Sequence, residues 1–175
     1  DKELSGKFKL EFIDFNGSLL FENEVQAVLP PDTSTLLWKK TNSAITFPLD
    51  NTFVYVHFKS KTIETDNDIF LTLPKTCRIQ KPKININISK EDKLFKITLD
   101  TDKPAFFVSL DPGEINGTFS DNCFTLLPEK LTGQKKIIDF SLREHELKNS
   151  KGLTKTSLLK RLKVFTIGDN YISVG

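Results

Sequence analysis

Apolar and polar residues alternate with a period of two along most of this chain, the spacing of strands with one buried face rather than of helices. In KFKLEF, Phe8, Leu10 and Phe12 alternate with Lys7, Lys9 and Glu11. Ile13 and Phe15 then fall on the opposite parity, so a bulge or bend near Phe12–Ile13 is needed to return them to the core. In FENEVQAVL, Phe21, Val25, Ala27 and Leu29 share one face, and Glu22, Glu24 and Gln26 the other. FVYVHFK places Val54, Val56 and Phe58 inward and Phe53, Tyr55, His57 and Lys59 outward. The same alternation assigns Ile84, Ile86 and Ile88, then Phe95, Ile97 and Leu99, then Ile138, Phe140 and Leu142 to the core. Shorter apolar segments stand at Leu71 and Leu73, at Phe107 and Val108, and from Val164 to Ile167.

Turn formers separate these runs. They are Asn16-Gly17, Pro30-Pro31-Asp32, Pro48 to Asn51, Asp66-Asn67-Asp68, Asp111-Pro112-Gly113, Asn116-Gly117 and Gly168-Asp169-Asn170. Many short strands between closely spaced turns predict an all-β chain built of β-sandwiches. The sole helical candidate is residues 153–162, where Leu158, Leu159 and Leu162 have helical spacing; its polar flanks predict a short turn of helix at most. The basic stretch KTCRIQKPK, residues 75–83, carries a proline between two β-rich halves. It predicts two tandem domains, 1–80 and 81–175.

Composition narrows the function. Lys+Arg 25 against Asp+Glu 23 leaves +2, which offers no electrostatic case for nucleic acid or an anionic membrane. No apolar run approaches the roughly 18 residues of a membrane-spanning helix. The start, DKELSGKFKL, has no signal-peptide pattern, and Met 0 predicts a processed chain or a piece of a longer one. The two cysteines, Cys77 and Cys123, exclude a disulfide framework and a cysteine-rich zinc site; they are expected as free, partly buried thiols, with one bridge as the alternative.

Catalytic signatures are lacking. The histidines, His57 and His145, stand in different halves, and there is no G-x-S-x-G, phosphate loop, dinucleotide fingerprint or zinc motif. His57 reads as a surface histidine on a strand. Glu22 and Glu24 share a strand face, but alternation alone explains that spacing, so they are not expected to act as a glycosidase pair. Asp66, Asn67 and Asp68 lack the glycine and terminal glutamate of a helical calcium loop and read as a turn. No metal or cofactor is expected. N-x-S/T sequons stand at Asn16, Asn87 and Asn116. For sugar stacking, Trp38 and Tyr55 are the candidate contacts, although Trp38, placed at a strand end, reads first as buried or at an interface. The 15 Phe read as core.

Residues 104–124, PAFFVSLDPGEINGTFSDNCF, resemble the C-terminal domain of β-mannosidases, multidomain glycoside hydrolases. Phe107, Val108, Leu110, Asp111, Ile115, Gly117, Phe119, Ser120, Asp121, Asn122 and Phe124 match that segment. The downstream order agrees too: a strand from Ile137 to Leu142, a polar loop, and a closing VFTIGDNY that ends in Asp169 and Tyr171. Ser109 stands where the family often has Trp, Asn116-Gly117-Thr118 where it often has Pro-Gly-Arg, and Cys123 at a usual Gly. Residues 1–80 look like the preceding immunoglobulin-like module.

The resemblance implies two immunoglobulin-like sandwiches forming the C-terminal, non-catalytic end of a larger hydrolase. Catalysis would belong to an upstream barrel of about 250 residues, too long for this chain to contain. The implied partner is that barrel in the same polypeptide, with subunit contacts as a further role. Leu110, Asp111, Phe119, Ser120, Asp121, Asn122 and Phe124 are expected to act structurally, Phe119 and Phe124 in a core and Asp121 and Asn122 in a turn. The rival readings are a stand-alone carbohydrate-binding module and an adhesion or scaffold module.

Overall fold

The computed structural model describes residues 2–41, 44–92, 94–143 and 153–169, and His145, Glu144, Glu146 and Tyr171 lie outside them. The chain separates into two compact units, Asp1–Ile79 and Gln80–Gly175. In both, the regular structure is mainly strands, and the strand pairs are antiparallel.

The first unit is a four-stranded sheet of order β2-β1-β3-β4, with β1 Leu4–Asp14, β2 Leu19–Leu29, β3 Thr52–Ser60 and β4 Glu64–Phe70. The β1–β2 register shifts between Phe12 and Ile13, but the extra residue is Leu20 on β2. The strand β1 keeps its register with β3, so Ile13 is not returned to the face of Phe12 and is buried on the opposite face beside Phe53, which was expected to point outward. Leu10, Phe12 and Val54 are buried on one face, with Phe8, Phe21 and Val56 beside them. The cover over that face comes from the segment between β2 and β3, which contributes Trp38, Ile45 and Phe47 without a second sheet. Trp38 therefore lies in irregular chain, not at a strand end. On the opposite face Phe15 stacks between Phe53 and Phe70, at 5.6 and 6.0 Å.

Asp66-Asn67-Asp68 is not a turn: all three lie inside β4. Their neighbours on β3 override their turn preference. Asp66 stands opposite His57 and Asp68 opposite Tyr55, and an edge strand tolerates an acidic outer row.

The second unit is a two-layer sandwich. One layer is β5-β6-β10-β8, comprising Ile84–Glu91, Leu94–Thr101, Lys136–Leu142 and Gly117–Phe119; the other is β11-β7-β9, comprising Lys163–Phe165, Ala105–Asp111 and Phe124–Leu126. The order of the four-stranded layer is that of strands A, B, E and D of an immunoglobulin domain. Phe95, Ile97, Leu99, Val108, Ile138 and Phe140 are fully buried between the layers. A short helix α1, Glu129–Thr132, precedes β10.

The leucine-rich stretch forms α2, Lys155–Arg161, seven residues rather than the single turn its flanks predicted. Thr154 closes a capping box with Ser157, and Leu158 is buried in the sandwich core, so capping and one deep leucine stabilise what local propensity leaves marginal. Both cysteines are free; Cys77 is buried and Cys123 is exposed, where a partly buried thiol was expected.

Candidate functional site

Trp38 and Tyr55 cannot form one stacking platform, because they serve opposite faces of the first sheet. The Trp38 ring packs 5.8 Å from Phe12 and 6.2 Å from Phe21, on the apolar face. Tyr55 alternates to the other face, and its hydroxyl donates to Asp66 Oδ2. Burial, then the neighbouring Asp66 carboxylate, pushes the phenol well above its ordinary range, so Tyr55 stays un-ionised.

Around Tyr55 the outer face carries a lattice of contacts between basic and acidic side chains, along and across the strands. Lys7 meets Glu24 at 2.9 Å; Lys9 meets Glu11 at 2.8 Å and Glu22 at 3.2 Å. Across β3, His57 meets Glu64 at 3.4 Å and Lys59 meets it at 2.8 Å. The hydrogen bond that the Lys9 ammonium donates to Glu11 leads the forces that hold it above its usual range, against a smaller burial effect. Glu22 and Glu24 are thus each matched by a lysine. They are not a pair of carboxylates converging on a scissile bond, and His57 lies on the same strand face, 3.4 Å from Glu64. Such pairs set cross-strand register more than stability.

The residues of the 104–124 segment meet in the second unit, and each has a structural partner. Asn122 works as a strand substitute for β7. Its side-chain carbonyl accepts from Leu110 N at 2.8 Å, and its amide donates to Leu110 O at 3.0 Å. The same carbonyl accepts from Cys123 N at 3.0 Å, which helps hold Cys123 at φ 65. Ser120 locks onto β10: its N–H donates to Asp139 O at 2.8 Å, and its hydroxyl accepts from Asp139 N at 3.0 Å. Asp121 pairs with Lys136 at 2.7 Å, and that ammonium also lies over the Phe124 ring at 4.9 Å. Asp111 Oδ1 accepts from Gly113 N at 2.8 Å, closing a turn in which Gly113 has φ 64.

Phe119 and Phe124 are half-buried against the core, and the Phe119 ring lies 4.6 Å from that of the fully buried Phe140. Gly117 belongs to the same contact. A Cβ there would run into the Phe140 ring and come within 2.7 Å of Ser141 O, so only glycine lets β8 approach β10. The alternation pattern did not mark Asp139 or Lys136 as partners of this segment, and Gly117, expected in a turn with Asn116, instead begins β8.

No cluster of three or more His, Cys, Asp or Glu suited to a metal occurs among the described residues. An open depression in the second unit is lined by Glu91, Asp92, Leu94, Ser141 and Leu142, without a paired acid and base. What the geometry offers is bracing: side chains tie loops to strands and leave no reacting group poised.

The family model of the mannosidase Ig-fold domain matches residues 79–170, and that of the Mannosidase Ig/CBM-like domain matches residues 1–75. Mouse beta-mannosidase is 45% identical over 49 residues, 28% of this chain and 6% of that protein. The crystal structure of beta-D-mannosidase from Dictyoglomus thermophilum superposes with a TM-score of 0.72 over 95% of this chain at 18% identity. The exo-chitosanase CsxA of Amycolatopsis orientalis superposes with a TM-score of 0.53 over 94% at 12% identity. The chain spans 19% of the first structure and 23% of the second. At those identities the likenesses to solved structures concern the fold.

Proposed function

The chain belongs to the Ig-fold domain family of mannosidases, and from that premise we propose that it supports a catalytic barrel, absent from this chain, in a β-mannosidase-type glycoside hydrolase. It carries Ig-like accessory domains of the β-mannosidase type and lacks a catalytic domain. Its work in this reading is burial and positioning: the two units pack against the barrel of the same polypeptide and hold it in place.

The observation that carries this is the tandem match. Two different mannosidase-associated domains occur here in succession, and one beta-D-mannosidase structure follows both with 95% of this chain covered. The site chemistry agrees, since the 104–124 motif is spent on internal contacts and Trp38 on the first unit's core. A carbohydrate-binding module would instead need its aromatic rings displayed.

An antibody against this chain, used on an extract of the source organism, tests the reading. A band several times larger than 19.9 kDa is expected. Lysine cross-linking of that parent should join this chain to a barrel bearing two catalytic glutamates. A band near 19.9 kDa would overturn the proposal and favour a free-standing binding module.

A further inference from the structure

The two units differ in how they protect their sheet edges. Exposed edge strands invite pairing with another chain, and proteins blunt them with charge or short length. In the first unit β2 carries Glu22 and Glu24, and β4 carries Glu64, Asp66 and Asp68. In the second, β8, β9 and β11 are three residues each. The strand β5 stands apart among the described edges. It is eight residues long, and its run from Ile84 to Ser89 has neither charge nor proline. Helix α2 packs against β5, and its Leu158 and Leu162 share the core cluster with Ile88. Asn85, Asn87 and Ser89 are exposed.

We propose that the β5 edge is an interaction surface for a second copy of this chain, pairing antiparallel about a twofold axis. The sequence of the strand is complementary to itself. A register centred on Asn87 sets Asn87 opposite Asn87, Ile86 opposite Ile88, and Asn85 opposite Ser89. It also sets Lys83 opposite Glu91 of the second copy, twice by symmetry. Ile84 faces Lys90 in the same register, also twice; within those pairs isoleucine meets isoleucine and uncharged polar side chains meet each other, and opposite charges meet beyond them at both ends. The product is one continuous sheet of two four-stranded halves.

Sedimentation velocity on the full chain over about a hundredfold concentration range tests this, because a dimer grows with concentration by mass action. A monomer–dimer equilibrium is expected, with hydrogen exchange at residues 84–89 slowing as dimer forms. Lys83→Glu and Glu91→Lys should each weaken dimerisation about tenfold, since each replaces two attractive pairs by two repulsive ones. The double exchange, K83E with E91K, should restore it. A chain that stays monomeric throughout overturns the proposal. So does a dimer that leaves exchange at residues 84–89 unchanged, or one indifferent to all three variants. Exchange on the unaltered chain decides the matter should a variant fail to fold.

Discussion

Asn122→Ala tests the bracing role of the motif most directly. The side chain holds both backbone groups of Leu110, a residue only 4% exposed. Truncation leaves that N–H and C=O without their partner, and a stranded buried backbone group costs about 1–3 kcal/mol. Cys123 N also donates to Val108 O at 2.9 Å, so it keeps a bond and adds little. Two stranded groups predict a loss of about 2–6 kcal/mol. For a unit the size of Gln80–Gly175, that lowers the melting temperature by about 8 °C or more. Circular dichroism follows the melt, while fluorescence of Trp38, the sole tryptophan, reports the first unit separately. Asp121→Ala is the comparison, because it removes only an ion pair whose partners are 44% and 35% exposed. It should cost below about 1 kcal/mol. Asn122→Ala within about 0.5 kcal/mol of the parent, or Asp121→Ala as costly as Asn122→Ala, would refute the clamp.

Other outcomes follow from the same structure. Gly117→Ala should destabilise the second unit by about 1–3 kcal/mol in thermal melts, because the added methyl meets the Phe140 ring and Ser141 O. Asp169 is pushed up by burial, yet its bonds from Thr166 N and Oγ1 and the Lys81 ammonium outweigh that and leave its carboxyl below the usual range. Its contribution is therefore present above the unfolded carboxylate pKa and lost as pH falls through the lower folded value; Asp169→Asn should flatten that acid limb of the melting-temperature profile. Tyr55 is raised, chiefly by burial and then by Asp66, so its contribution is present below the ordinary phenol value of 10.0 and declines as pH rises beyond it. Tyr55→Phe should remove that alkaline loss, and phenolate absorbance of the native chain should show one tyrosine resisting ionisation. Phe140→Ala should cost about 3–5 kcal/mol, more than Phe119→Ala or Phe124→Ala, since Phe140 alone of the three is fully buried.

Local pattern by itself determined most of the strands and the faces of the second unit. Phe95, Ile97, Leu99, Ile138 and Phe140 are at 0% exposure, as a period of two places them, whereas Ile13, Phe15 and Phe53 are equally buried on the face that the alternation assigned outward, because a second apolar cluster forms there. The residues of the 104–124 segment were visible as a motif. Their partners were not. Leu110 and Asn122 are twelve residues apart, Ser120 and Asp139 nineteen, and alternation within a strand says nothing about which distant strand it will meet. Tertiary pairing also decided that Asp66-Asn67-Asp68 extends as β4, that Trp38 is absorbed into a core, and that Leu158 anchors a two-turn helix. The physical division is one of range: side-chain alternation is a property of neighbouring residues, whereas the stability of a turn former in a strand, or of a short helix, comes from contacts that exist only once the chain has folded.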